Sequence, residues 1–273
     1  MTSSTRRCTV LLTFDFDAES SKEARGLTSP TPISQGQYGA RVGLPRILAL
    51  LARYEIKATF FVPGVVVERY PELVKKIHAD GHELGHHGYT HVSPLKLSYE
   101  EERAQLEKGL AAFEQAALKR PMGYRSPAWD LSQNSIALFK EFGFEYESSL
   151  MGDDFQMYRI GHEDGSSGLV EIPISWLLDD FVHFEIVDNG AGLASPAKVY
   201  EIWAGEFEGA YEEQGVFCLT MHPQVIGRYP RIRMLEKLIQ TMSSHAGVQF
   251  TTCSEAVAAW RKNNPVPVEG SHL

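Results

Sequence analysis

At 273 residues the chain can bury a substantial core, as one large domain or two small ones. Its formal net charge of −9, with no basic run or stripe, argues against nucleic acid as the main partner. No apolar stretch approaches the roughly 20 residues that a membrane span needs, so no membrane partner is expected either. Cys8, Cys218 and Cys253 are too widely spaced to suggest a disulfide framework and read as free thiols in a reducing compartment. Arg6 and Arg7 precede an apolar run that ends at Asp15 without a small-residue cleavage site. No signal peptide is read there, and the expected location is the cytoplasm. Gly270-Ser271-His272-Leu273 reads as a cloning remnant and carries no functional weight.

In chain order, residues 8–12 form a short apolar run that predicts a buried strand. Thr13-Phe14-Asp15-Phe16-Asp17 follows it, and in an extended chain the two acids would face one point. Residues 18–43 show no apolar period and predict a long loop, a lid or a subunit contact. Residues 44–54 predict a helix, with Ile47, Leu48 and Leu51 on one side and Pro45 in its first turn. A strand over 58–62 ends at Pro63-Gly64, and Pro71 opens a helix that Gly81 stops. Residues 82–85 predict a third strand, which delivers His86, His87 and His91. Ser98-Tyr99-Glu100-Glu101 is a capping box before a long helix with a stripe of Leu106, Leu110, Phe113 and Ala117. Further strands are expected over 122–126, 144–148, 169–175, 216–220 and 248–251. Helices are expected over 132–142, 196–213 and 231–245. A second capping box, Thr252 to Glu255, starts the last helix. The strict alternation predicts parallel strands with right-handed crossovers, and the number of units suits a barrel better than an open sheet.

The chemistry-bearing residues follow strands. Asp15 and Asp17 follow the first, His87 and His91 the third, and Arg125 the fourth. Asp179, Asp180 and His222 follow later ones. In a parallel α/β barrel these positions share one rim, where active sites lie. His87 and His91, four apart, would face the same side if helical, and one carboxylate could complete a His-His-Asp metal triad. Each residue also has a plain reading. The acids could cap a loop, Arg125 could form a surface ion pair, His222 could be a turn residue, and Trp129 and Trp176 could be core. His82 and His86 are expected to point away from the rim. His78, His162, His183 and His245 carry no signal.

Thr-Phe-Asp-Phe-Asp, then Gly-His-Glu-Leu-Gly-His-His-Gly-Tyr-Thr-His, then Tyr-Arg-Ser-Pro-Ala-Trp and Leu-Thr-Met-His-Pro resemble, in that order, the polysaccharide deacetylase family. The resemblance spans about residues 8–262, within a single catalytic domain. It implies a distorted (β/α)7-type barrel and a divalent metal, zinc foremost, with cobalt, nickel or manganese as alternatives. It implies Asp17, His87 and His91 as metal ligands, Asp15 as base paired with Arg125, and His222 as general acid oriented by Asp179 or Asp180. Tyr89, Trp129 and Trp176 are candidates for the substrate pocket.

Phe16 separates the aspartates that common chitin and peptidoglycan deacetylases have side by side. Residues 34–45 and 150–155 are more like a cytoplasmic branch with allantoinase-like and cyclic imide hydrolase-like members. The expected substrate is therefore a small cyclic imide, ureide or amide, and N-deacetylation of peptidoglycan or another acetylated polysaccharide is the alternative. A homo-oligomer is expected. A non-catalytic carbohydrate-binding barrel is a third reading, disfavoured because base and acid are both present. A structural metal site would need four protein ligands, and three are evident.

Overall fold

The computed structural model describes residues 8–160, 168–185 and 193–265. His162 and the C-terminal tetrapeptide lie outside these residues. Among the described residues the strands are β1 (Cys8–Asp15), β2 (Thr59–Val62), β3 (Glu83–His86), β4 (Gly123–Tyr124), β5 (Tyr146–Glu147), β6 (Tyr158–Ile160), β7 (Leu169–Glu171), β8 (Val216–Met221) and β9 (Val248–Phe250). They make one sheet in the order β6-β7-β5-β4-β3-β2-β1-β8, with β9 paired to β1. All pairings are parallel except β6 with β7. Beyond β7 the chain returns to β8 through a single parallel bridge, Asp179 to Thr220. The result is a curled sheet, a distorted (β/α)7-type barrel with an irregular seam.

β1 pairs with three strands, β2, β8 and β9, and is buried along its whole length apart from half-buried Thr9. A strand covered on both faces must be apolar on both, which is why its sequence shows no alternation. It runs on to Asp15, three residues past the expected apolar end. The 169–175 strand is shorter than expected. β7 stops at Glu171, and residues 172–175 continue as irregular chain tied to β5 by Ile172 N–H donating to Glu147 O at 2.9 Å. β6, unforeseen, is the antiparallel exception. No helix among the described residues is long and apolar enough to cross a membrane.

The expected loop over 18–43 is helical. It holds α1 (Ser20–Glu23), α2 (Pro30–Tyr38) and a π-helical turn (Gly39–Gly43) that runs into α3 (Leu44–Arg53). Its sequence lacks an apolar stripe because its glycines bring backbone against backbone. A Cβ at Gly36 would lie 2.4 Å from Glu19 Cα, and one at Gly43 would lie 2.0 Å from Pro223 O. α1 is also pinned by buried Lys22, whose Nζ is 3.3 Å from Glu185 Oε1. The remaining helices are α4 (Gly64–Arg69), α5 (Pro71–Ala79), α6 (Tyr99–Gln115), α7 (Ser135–Glu141), α8 (Asp180–Phe184), α9 (Pro196–Glu212), α10 (Pro223–Ile226), α11 (Tyr229–Ser243) and α12 (Cys253–Asn263). Both capping boxes form as expected, Ser98 with Glu101 and Thr252 with Glu255.

Gly43→Ala would push the α2–α3 junction off the chain that follows His222. Overpacking of this kind costs about 1–3 kcal/mol. Equilibrium urea unfolding should show that loss, and an unchanged midpoint would contradict the close packing.

Candidate active site and metal centre

Asp15 ends β1 and Asp17 follows two residues later, and both are buried. β3 ends at His86, so His87 is the first residue beyond it. His91 does not reach the site by a helical turn, as its spacing suggested. Gly88 and His91 both take left-handed backbone angles, φ +70° and +60°, and the chain between them loops back. Gln105 on α6 holds that loop, its Oε1 accepting from Tyr89 N and Thr90 N at 3.2 and 2.9 Å.

The turn brings His91 Nε2 to 3.4 Å from Asp17 Oδ2, while His87 Nε2 lies 3.5 Å from Asp17 Oδ1. His87 Nδ1 is 2.7 Å from Arg125 O. A carbonyl can only accept, so Nδ1 carries the proton and Nε2 presents its lone pair to the site. Asp17 Oδ1 is buried without a hydrogen-bond donor. A desolvated carboxylate facing two imidazole nitrogens, one from each oxygen, is what a divalent cation satisfies, so these three residues fit one.

A second group that could hold a cation, Asp179, Asp180 and His222, adjoins the first. Its atoms are already matched to one another. Asp180 Oδ1 lies 2.8 Å from His222 Nδ1, both Asp180 oxygens accept from His222 N, and Asp179 Oδ1 accepts from Phe181 N at 2.7 Å.

Asp15 Oδ1 accepts from Arg125 Nη1 at 3.0 Å. Arg125 is wholly buried, and Thr13 Oγ1, Ser148 O and Ser148 Oγ take its other donors at 2.7–3.0 Å. Burial would weaken its hold on the proton, but Asp15 more than restores it, so the guanidinium stays charged. Burial works against ionised Asp17 as well, yet His91, then His222 and His87, hold it well below the usual carboxylate range. For His222, burial disfavours the imidazolium. The hydrogen bond and charge of Asp180, followed by Asp179 and Asp17, reverse this and raise it well above its ordinary value. Asp179 itself is pushed up to about 7 by burial, an effect opposed by His222.

Asp15, Asp17, His87, His91, Asp179 and His222 line the floor of a pocket of about 260 Å³. One wall is Trp129 stacked on Trp176, with centroids 4.4 Å apart; Trp129 is buried and Trp176 is 47% exposed. Ala128 and Trp129 both have left-handed φ, +58° and +57°, and such strain is typical of functional sites. Ser21 of α1, Ala24, Arg25 and Phe181 also line the pocket. Tyr89 does not line this pocket. Its ring packs on Gly64 and its hydroxyl donates to Glu68 Oε2 at 3.2 Å, because the loop between Gly88 and His91 turns it outward. His82 and His86 point away as expected, with Nδ1 of each accepting a backbone N–H. Arg25, Lys96 and Phe181 line the pocket but carry no motif signal in the sequence.

The polysaccharide deacetylase family model matches residues 2–147. The chain is 34% identical to a peptidoglycan deacetylase of Helicobacter pylori over 266 residues, 88% of this chain and 91% of that protein. A solved structure assigned to the polysaccharide deacetylases from Mycobacterium smegmatis superposes with a TM-score of 0.88 at 35% identity, covering 97% of this chain and 93% of that one. The fold is also that of Puue allantoinase, with a TM-score of 0.82 at 22% identity over 97% and 93% of the two chains. On this evidence the chain belongs to the polysaccharide deacetylase family, hydrolases that act on carbon–nitrogen bonds.

Proposed function

We propose that this hydrolase opens a small cyclic imide, ureide or amide, with one divalent ion, zinc foremost, held by Asp17, His87 and His91. The observation that carries the choice of substrate is the pocket. Its volume is about 260 Å³, and α1 and the stacked Trp pair wall it in above the triad. Such a space suits a single ring better than a polymer strand. A cytoplasmic site of action belongs to this reading, supported by three buried free cysteines and a pocket for a diffusible molecule. The second reading is N-deacetylation of an acetylated sugar, favoured by the name of the Helicobacter pylori relative.

When bound, a divalent ion supplies carbonyl polarisation and lowers the pKa of a water ligand toward about 7. Asp15 takes the proton from the attacking water. Arg125 keeps that carboxylate ionised and aimed, while Thr13 and Ser148 fix the guanidinium. His222 Nε2 faces Asp17 at 3.8 Å, on the pocket side, and donates a proton to the leaving nitrogen. Asp180 holds Nδ1 on the other side of the ring and stabilises the imidazolium. Of the two candidate acids, Asp180 is the orienting one, because Asp179 is 3.6 Å from Nδ1 and caps α8 instead. Trp129, Trp176 and Phe181 keep bulk water out and pack on the ring.

Three measurements test this reading. Asp17→Ala and His87→Ala should lose bound divalent metal by elemental analysis. Asp15→Asn should keep metal and lose about 10²–10⁴-fold in turnover, and full metal in both ligand variants would overturn the assignment. Because Asp180 raises His222, the alkaline loss of activity should come only as pH climbs through that raised value. Asp180→Asn should move the alkaline limb of kcat to lower pH, and an unmoved limb would remove His222 as the acid. Finally, succinimide-like rings should be hydrolysed in preference to acetylated chito-oligomers, and activity on the oligomers alone would transfer the conclusion to the second reading.

A further inference from the structure

Arg25 and Lys96 line the pocket above the triad, in a chain whose acids outnumber its bases by 35 to 26. Among the described residues neither makes an ion pair with any carboxylate. The acids of the pocket floor already have partners. Asp15 is matched by Arg125 and Asp180 by His222, Asp179 caps α8, and Asp17 lies against the His87 and His91 imidazoles. Arg25 and Lys96 take part in none of these contacts.

The Arg25 side chain is also held in place. Arg25 Nε donates to Ser21 O at 3.2 Å, and its guanidinium lies 5.5 Å over the ring of Phe181, itself part of the pocket wall. That leaves both terminal nitrogens with no protein acceptor among the described residues, in the forked geometry that matches a carboxylate. Lys96 closes a short 3-10 turn, Pro94–Lys96, whose start is capped by Ser93 Oγ accepting from Leu95 N. Both side chains are exposed, and a planar fork and a mobile ammonium on the lining of one pocket form a receptor for an anion.

We infer that the molecule this pocket takes carries a carboxylate beside its amide or imide group, and that Arg25 and Lys96 bind it. The inference rests on the hydrolase reading only for which bond is cut. The carboxylate could belong to a small ring or to an acidic amino sugar, and two matched probe pairs separate these sources. One pair is 5,6-dihydrouracil and its 6-carboxylate, and the other is N-acetylglucosamine and N-acetylmuramic acid.

Calorimetric titration of the zinc-loaded full chain should show the anionic member of at least one pair binding about tenfold or more tighter than its neutral partner, as expected for charge-assisted hydrogen bonds. The pair that shows this preference identifies the scaffold. In the Arg25→Gln, Lys96→Met double variant, checked for zinc content, the ratio should collapse toward one. Equal affinities in both pairs, no millimolar binding of either anion, or a ratio that survives the double variant would each overturn the inference. An anion preference without turnover of any of the four probes would support Arg25 and Lys96 while counting against the hydrolase reading.

Discussion

Two carboxylates at the exit of β1 impose the main constraint on this molecule. Asp15 and Asp17 are 1% and 2% exposed, and a bare charge that far from water is costly. Each has to be compensated by groups arriving from elsewhere in the chain. Arg125, from the end of β4, meets Asp15. Two imidazoles delivered beyond β3 face Asp17, whose Oδ1 keeps no donor of its own. The strands hold these residues in register through β1's pairing with β2 and β2's with β3, and the loops past β3 and β4 add the final reach. Polar side chains supported by rigid strands lose little freedom when the site assembles, which is the basis of pre-organised catalysis.

Behind the floor a second set of polar groups fixes the first. Ser148 anchors Arg125, and Ser149 Oγ accepts from Ser126 N at 2.8 Å, next to Arg125. Ser149 in turn leans on a wholly buried carboxyl pair, Glu147 and Glu171. Burial and the neighbouring Glu147 push Glu171 well above the usual carboxylate range. The seam residue Asp179 joins the same scheme by pairing with Thr220 on β8 while its neighbour Asp180 holds His222.

Much of this was legible in the chain because strand ends announce themselves. An apolar run that stops at an acid, a histidine or an arginine leaves few structural explanations. Asp15, Asp17, His87, His91, Arg125 and His222 therefore appear together at one rim as expected. Features that depend on backbone contact were hidden. The helices of residues 18–43 pack through Gly36 and Gly43, so they leave no hydrophobic period to find. The side on which Tyr89 falls depends on the left-handed turn at Gly88 and His91, and spacing along the chain does not record it. The choice between Asp179 and Asp180 turns on which oxygen meets an imidazole nitrogen, a matter of about an ångström. Arg25 and Lys96 look like ordinary surface charges until the fold sets them around a cavity.

The central claim is that one cation sits against Asp17, His87 and His91 with room left for water. Anomalous diffraction at the zinc edge from crystals of the loaded protein tests it directly. The account predicts one strong peak per chain, bonded to His87 Nε2, His91 Nε2 and an Asp17 oxygen, with solvent completing the shell. A peak seated instead among Asp179, Asp180 and His222, or one enclosed by four protein ligands, would contradict it.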